Sequence, residues 1–274
     1  MYIALFESLD LFSKQWTPKR EVECNMAIFQ GTILSKSMWM MTSITVSMPE
    51  ERKPDTEVPV IYLLHGLTGN NLDWLRRTNV DYYAEQYGFA VVMPEVQRSF
   101  YHDMAYGPKY FTYISEELPK ICRDLFHISG KREDNFVAGL SMGGYGALKT
   151  ALRNPDKFAA AASFSGAVDI RSRFLSDTPP VSHEECIGIN NGVIKPEDDL
   201  FHLASELSGR DCPKLFISCG LSDFLYEDNQ KFRKHLTECG LPFVYEEWPG
   251  DHDWTFWDKS IQLALKFFAK TRNS

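Results

Sequence analysis

The stretch FVAGLSMGGYGALKTAL, residues 136–152, sets one serine, Ser141, among Gly139, Gly143, Gly144 and Gly146. An apolar run (Phe136, Val137, Ala138) precedes the glycines, and a helical pattern follows from Met142 to Leu152. A strand that turns sharply into a helix at G-x-S-x-G holds its serine in strained backbone geometry. It leaves little room for side chains two positions to either side. The corner lifts a hydroxyl clear of the sheet, beside a helix N-terminus whose free N–H groups favour negative charge. The chemistry that suits this arrangement is nucleophilic attack on an acyl carbonyl. The plainer reading is a glycine-rich turn that packs a helix on a strand, with Ser141 as its cap.

A serine hydroxyl is a weak nucleophile until a base takes its proton. Of the seven histidines, His252 sits in WPGDHDW, after a strand pattern and before a helical one. Loops at the carboxyl ends of parallel strands converge on one side of a sheet, where ligands bind. His235 reads as a solvated helix residue and His127 as a helix-end residue. His102, His183 and His202 fall in polar or loop segments. An acid must orient the imidazole. Asp223, in FISCGLSDFLYEDN, follows a strand and precedes a helix, so it shares the same sheet edge. Asp169, in FSGAVD, is its rival, and Asp228 suits the first turn of the next helix. The order Ser141, Asp223, His252 is that of serine–acid–histidine sites in α/β-hydrolases.

Attack on a carbonyl creates an alkoxide that needs two donors. The Met142 N–H, at the start of the helix, is one. The loop LLHGLTGNN supplies the other, with Gly66 permitting the turn, Leu67 as the donor and His65 buttressing the loop. Trp74, Tyr106, Tyr226 and Trp254 fall near strand-end loops and are read as lining a narrow aromatic entrance, with burial in the core as their alternative.

These residues need a sheet to align them. Residues 27–49 read as a β-hairpin, and VPVIYLLHG (58–66) and FAVVMP (89–94) as strands buried on both faces. NFVAG, 158–166, 214–220 and 243–250 read as further strands. Helical patterns cover 78–87, 110–126 with an irregularity at Pro119, 226–239 and 254–270. The alternation predicts an α/β fold: a mostly parallel sheet flanked by helices on both faces. Residues 26–274 read as a single domain. Residues 167–212 are polar, contain Pro179-Pro180 and Asn190-Asn191-Gly192, and read as a cap-like insertion. Residues 1–25 read as an N-terminal extension, with Met26 an alternative start.

The composition, 44% hydrophobic and 24% charged, provides for a core. A net charge of −8 without a basic stripe argues against nucleic acid as a partner. No apolar run approaches the roughly 18 residues of a membrane span. The N-terminus lacks a basic start, and Glu7 and Asp10 interrupt its apolar residues, which is unlike a signal peptide. The six cysteines are scattered without a C-x-x-C pair, which reads as free thiols. A cytoplasmic protein is expected.

The segments VPVIYLLHGLTGNNLDWLRRTNV, FVAGLSMGGYGALKTAL, SFSGAVD, CGLSDFLYEDN and GDHDWTFWDKSI together resemble the esterase D family. That family includes S-formylglutathione hydrolases, feruloyl and acetyl esterases and mycolyltransferases, and the chain is especially similar to small bacterial tributyrin esterases. The resemblance runs from about residue 58 to 262. It implies an α/β-hydrolase fold, no cofactor, no metal, and hydrolysis of short acyl esters through an acyl-enzyme. It also implies a triad of Ser141, Asp223 and His252 and oxyanion amides at Leu67 and Met142. Where S-formylglutathione hydrolases carry a cysteine in the oxyanion loop, this chain has Gly69, which argues against a glutathione thioester. The polar insertion argues against long acyl chains, since opening onto a lipid interface needs a contiguous apolar surface.

Overall fold

The computed structural model describes residues 25–51, 56–175 and 182–273. Its strands are β1 (Met26–Ser35), β2 (Met40–Pro49), β3 (Val60–Leu64), β4 (Ala90–Pro94), β5 (Asn135–Leu140), β6 (Ala160–Phe164), β7 (Lys214–Gly220) and β8 (Phe243–Trp248). They form one sheet in the order β1-β2-β4-β3-β5-β6-β7-β8. β1 and β2 are antiparallel, as are β2 and β4. From β4 through β8 every pairing is parallel. This agrees with the mostly parallel sheet expected from the sequence.

The unbroken apolar runs are explained by burial on both faces. Along β3, Val60, Tyr62 and Leu64 enter one core while Ile61 and Leu63 enter the other. In β5, Val137 faces the first core, and Phe136 and Ala138 the second. The helices that cover these faces are α1 (Asp73–Arg77), α2 (Val80–Glu85), α3 (Tyr110–Thr112), α4 (Leu118–Phe126), α5 (Met142–Arg153), α6 (Ile170–Phe174), α7 (His183–Asn190), α8 (Leu200–Glu206), α9 (Tyr226–Cys239) and α10 (Trp254–Arg272). α5 supplies Ala147, Leu148 and Ala151 to the first core, and α10 supplies Ile261, Leu265 and Phe268 to the second.

Element ends differ from the sequence reading by a few residues where pairing stops. Val58 makes only an isolated bridge to Ile128, so β3 starts two residues later than its apolar run. The helix expected over 110–126 is α3 and α4 joined by a π-helical turn, Tyr113–Glu117. Pro119 cannot donate to the Ser115 carbonyl one turn back. That carbonyl accepts from Lys157 Nζ at 3.5 Å instead.

The segment between β6 and β7 carries α6, α7, a 3₁₀ turn at Pro196–Asp198 and α8. Its charged residues conceal an apolar side: Ile170, Phe174, Ile189, Leu200 and Leu203 are buried in the first core. Cys122, Cys186, Cys212, Cys219 and Cys239 are free thiols. Cys24 lies outside the described residues, as does all of the expected 1–25 extension except Asn25. No described helix is long and apolar enough to cross a membrane.

Candidate active site

β5 ends at Leu140 and α5 begins at Met142, so Ser141 alone makes the turn. Its φ of 53° and ψ of −116° are strained for a residue with a side chain. The neighbouring strand holds it there. The Ser141 N–H donates to the Phe164 carbonyl at 2.9 Å, and its own carbonyl accepts from the Ala167 N–H at 3.1 Å. The flanking glycines are steric necessities. A Cβ on Gly143 would meet the Leu64 and His65 carbonyl oxygens at 2.5 and 2.7 Å, and one on Gly139 would collide with the Gly143 carbonyl.

The loop after β8 brings His252 over this corner. Its Nε2 lies 3.0 Å from Ser141 Oγ, and its Nδ1 lies 2.9 and 3.1 Å from the two carboxylate oxygens of Asp223. Asp223 stands in the loop between β7 and α9, is buried, and accepts the Leu225 N–H at 2.8 Å. Burial acts to raise its pKa. The hydrogen bond and charge of His252, with help from Ser165 and the Leu225 N–H, outweigh that and hold the carboxyl below its ordinary range. The His252 ring is packed between Phe224, at 4.6 Å, and the edge of Trp257, at 4.9 Å. Trp257 is itself pinned by an Nε1–H bond to Ser165 Oγ at 3.2 Å.

A cleft of about 450 Å3 opens onto Ser141 and His252, with Leu67, Thr68, Phe224 and Trp254 among its walls. The Met142 N–H, first of α5, has no partner within its helix. Leu67 belongs to a loop fixed from beneath. Gly69 N–H donates to the Gly66 carbonyl at 3.1 Å. His65 Nε2 accepts from the Val96 N–H at 3.1 Å, which leaves Nδ1–H to donate to the Gly66 carbonyl at 2.7 Å. The Tyr101 hydroxyl donates to the His65 carbonyl at 2.9 Å. His65 and Tyr101 thus fix the start of the loop, through the adjacent carbonyls of Gly66 and His65. The carboxylates on the cleft wall are Asp73 and Asp253, and no Lys or Arg is among its described lining.

Of the four aromatic residues expected at the entrance, Trp254 lines the cleft. The other three do not. Trp74 is fully buried, donates its Nε1–H to the Leu64 carbonyl at 3.1 Å, and supports Trp254 edge-on from behind at 5.3 Å. Tyr106 is exposed and bonds through its backbone N–H to the Gly188 carbonyl of α7. Tyr226 turns its hydroxyl to Glu247 at 3.1 Å. Phe224 and Trp257 take their place. One follows Asp223 directly and the other sits one helical turn after Trp254, so adjacency to the triad candidates was the available signal.

The rival acid Asp169 caps α6, accepting the Ser172 N–H at 2.9 Å. Asp228 lies in the first turn of α9, as expected, and pairs with Arg173 at 2.7 Å. His102 lies in a loop, as read from the sequence, and is buried. His235 is half-buried rather than solvated, 2.8 Å from the Phe201 carbonyl.

An acetyl esterase of Caldicellulosiruptor saccharolyticus is 33% identical over 267 residues, covering 89% of this chain and 99% of that one. A substrate-bound structure of the fluorophosphonate-binding serine hydrolase F of Staphylococcus aureus superposes with a TM-score of 0.82 at 36% identity, covering 89% and 98% of the two chains. An S-formylglutathione hydrolase from the same organism gives a TM-score of 0.80 at 36% identity, covering 89% and 99%. The Esterase family model matches residues 35–268, a span that holds the serine corner, the acid loop, the histidine loop and the strands that align them. The chain therefore belongs to the Esterase family and is a serine carboxylesterase with an α/β-hydrolase fold.

Proposed function

We propose that the chain hydrolyses short-chain acyl esters of small alcohols, with Ser141 as nucleophile, His252 as general base and acid, and Asp223 as the orienting acid. The observation that carries this reading is the continuous hydrogen-bonded line Asp223–His252–Ser141, opening into the cleft. His252 Nε2 takes the Ser141 proton as Oγ attacks the acyl carbon. The resulting oxyanion sits between the N–H groups of Leu67 and Met142. Collapse expels the alkoxide, which leaves as the alcohol with the proton from His252. Water, giving a proton to the same nitrogen, then attacks the acyl carbon; the bond to Oγ breaks, the carboxylic acid leaves, and Ser141 Oγ takes the proton back from His252. Asp223 keeps Nδ1 protonated and Nε2 free to accept, and its depressed pKa keeps it ionised while the imidazole carries the proton.

A series of p-nitrophenyl esters from acetate to decanoate, with methyl ferulate alongside, tests the substrate class. kcat/KM should be highest at acetate or butyrate. A maximum at decanoate would overturn the short-acyl reading. The named relative makes S-formylglutathione the second candidate. Glutathione thioesters carry net negative charge, and Asp73 and Asp253 on the cleft wall oppose it. Turnover of S-formylglutathione is therefore expected to trail that of p-nitrophenyl acetate.

Asp223→Asn should lower kcat by about 10²- to 10⁴-fold with little change in KM, because it costs the histidine its orientation and charge partner rather than the substrate its site. Asp169→Asn removes a charge but keeps an oxygen that can cap the five-residue helix, and should leave kcat within about twofold. The reverse pattern in steady-state kinetics would move the acid to the loop after β6.

A further inference from the structure

We propose that β1 pairs antiparallel with β1 of a second copy of this chain, across a two-fold axis at Gly31, forming a homodimer with one continuous sheet. Among the described residues β1 is an edge strand, bonded only to β2. An edge presents unpaired N–H and C=O groups, and proteins blunt it by shortness, charge or proline. The opposite edge follows that rule: β8 has six residues and carries Glu246 and Glu247. β1 breaks it. Its sequence, MAIFQGTILS, runs for ten residues without a charge or a proline, and Ile28 through Thr32 are all exposed. In a chain of net charge −8, this is a place where two copies can meet without setting carboxylates together.

The strand also complements itself. With Gly31 on the axis, Ile28 lies opposite Leu34, Phe29 opposite Ile33, and Gln30 opposite Thr32. Side chains alternate between faces along a strand, so the pairing joins apolar residues on both faces of the new junction. Ile28, Phe29 and Leu34 are 47%, 50% and 62% exposed, and these are the side chains it would cover. Met41, paired with Leu34 on β2 and also exposed, widens the apolar strip. At the axis, a Cβ on Gly31 would meet nothing within 4 Å, so the sheet face beside the axis is uncrowded. A partner of other sequence could use the edge, but the matched apolar pairs about one glycine favour a second copy.

Sedimentation velocity on the full chain tests this. The wild type should be a dimer. Ile28→Lys/Leu34→Lys sets lysine against lysine at both ends of the junction and should weaken dimerisation by about a hundredfold or more. Ile28→Lys/Leu34→Glu sets each new lysine opposite a new glutamate and should keep the dimer within about tenfold of the wild type. The sites are exposed and remote from the triad, so turnover of p-nitrophenyl acetate reports that each variant is folded. Leu34→Lys alone, expected to weaken the dimer by about tenfold, serves if the double lysine variant does not fold. A wild-type monomer at about 50 µM would overturn the proposal. So would equal affinities for the two double variants, since the register then fails.

Discussion

Ser141→Ala is expected to cut kcat/KM for p-nitrophenyl acetate by about four orders of magnitude or more while the protein stays folded. The two halves of this expectation have separate causes. The hydroxyl makes its hydrogen bond to His252 and supports no core contact, so its loss removes the nucleophile and little packing. What survives is the rate that binding and the oxyanion donors can supply alone, because members of such a triad act as a unit. The fold should tolerate the change because alanine keeps the Cβ and adopts the same backbone. Its φ of 53° stays strained in the variant. Ser141→Gly relieves that strain, and the relief should appear as about 1–3 kcal/mol of added stability relative to Ser141→Ala, at equal loss of activity. Urea unfolding of the two variants checks the sign. Activity above about a tenth of wild type in either would remove Ser141 from the role of nucleophile. Equal stabilities would mean that the turn is not strained in solution.

The serine corner was legible because its constraint is local. Gly139, Ser141 and Gly143 lie within five consecutive positions, and the apolar run before them and the helix after them are written in the same stretch. Asp223 and His252 were legible for another reason. Consecutive parallel strands deliver their carboxyl ends to one edge, so residues just past β7 and β8 fall near the end of β5 whatever the loops look like. The cleft walls were less legible. Which of Trp74, Phe224, Trp254 and Trp257 faces the substrate depends on the phase of short helices and on the pose of a loop, and neither leaves a periodic mark. The π-turn before Pro119 was visible only as an irregularity. A buried lysine was invisible altogether, because its carboxylate partner lies within the insertion, far along the chain.

That lysine carries the largest expected effect on stability. Lys149 lies on α5, two turns beyond Ser141, with its side chain wholly buried. Its Nζ donates to the Tyr101 carbonyl at 3.1 Å, pairs with Asp198 of the 3₁₀ turn in the insertion, and faces the rings of Phe111 and Tyr145. Tyr145 adds a bond from its hydroxyl to the Asp198 carbonyl at 2.7 Å. His102 stacks on Tyr145 and approaches Asp198 at 3.6 Å. Burial, followed by the charge of Lys149, pushes the His102 pKa down to about 3, so the imidazole is neutral and the contact is no ion pair. Lys149 is therefore the counter-ion for a buried carboxylate. Burial opposes the Asp198 charge, but Lys149 prevails and holds that carboxyl below its ordinary range.

Lys149→Met strands the carboxylate and should cost about 3–5 kcal/mol at pH 7. Asp198→Asn should cost less. Burial already brings the Lys149 pKa down to about 8, so a lysine without its partner can shed its proton near neutral pH, an escape closed to the carboxylate. Lys149→Met/Asp198→Leu removes both charges and should recover at least about 2 kcal/mol relative to the sum of the single losses. The pH dependence has a definite sign. In the wild type the depressed Asp198 pKa contributes stability above the ordinary carboxylate range, and that contribution is lost as pH falls through the depressed value. In Lys149→Met the same carboxyl, buried without its ion-pair partner, takes up a proton more readily than in the unfolded chain. Its penalty is full at neutral pH and fades on acidification. The gap between wild type and Lys149→Met should therefore narrow from pH 7 to about pH 4.5. Urea unfolding of the four proteins at both values decides the matter. Additive losses, or a gap that does not move with pH, would mean that Lys149 holds α5 and the insertion together by packing alone.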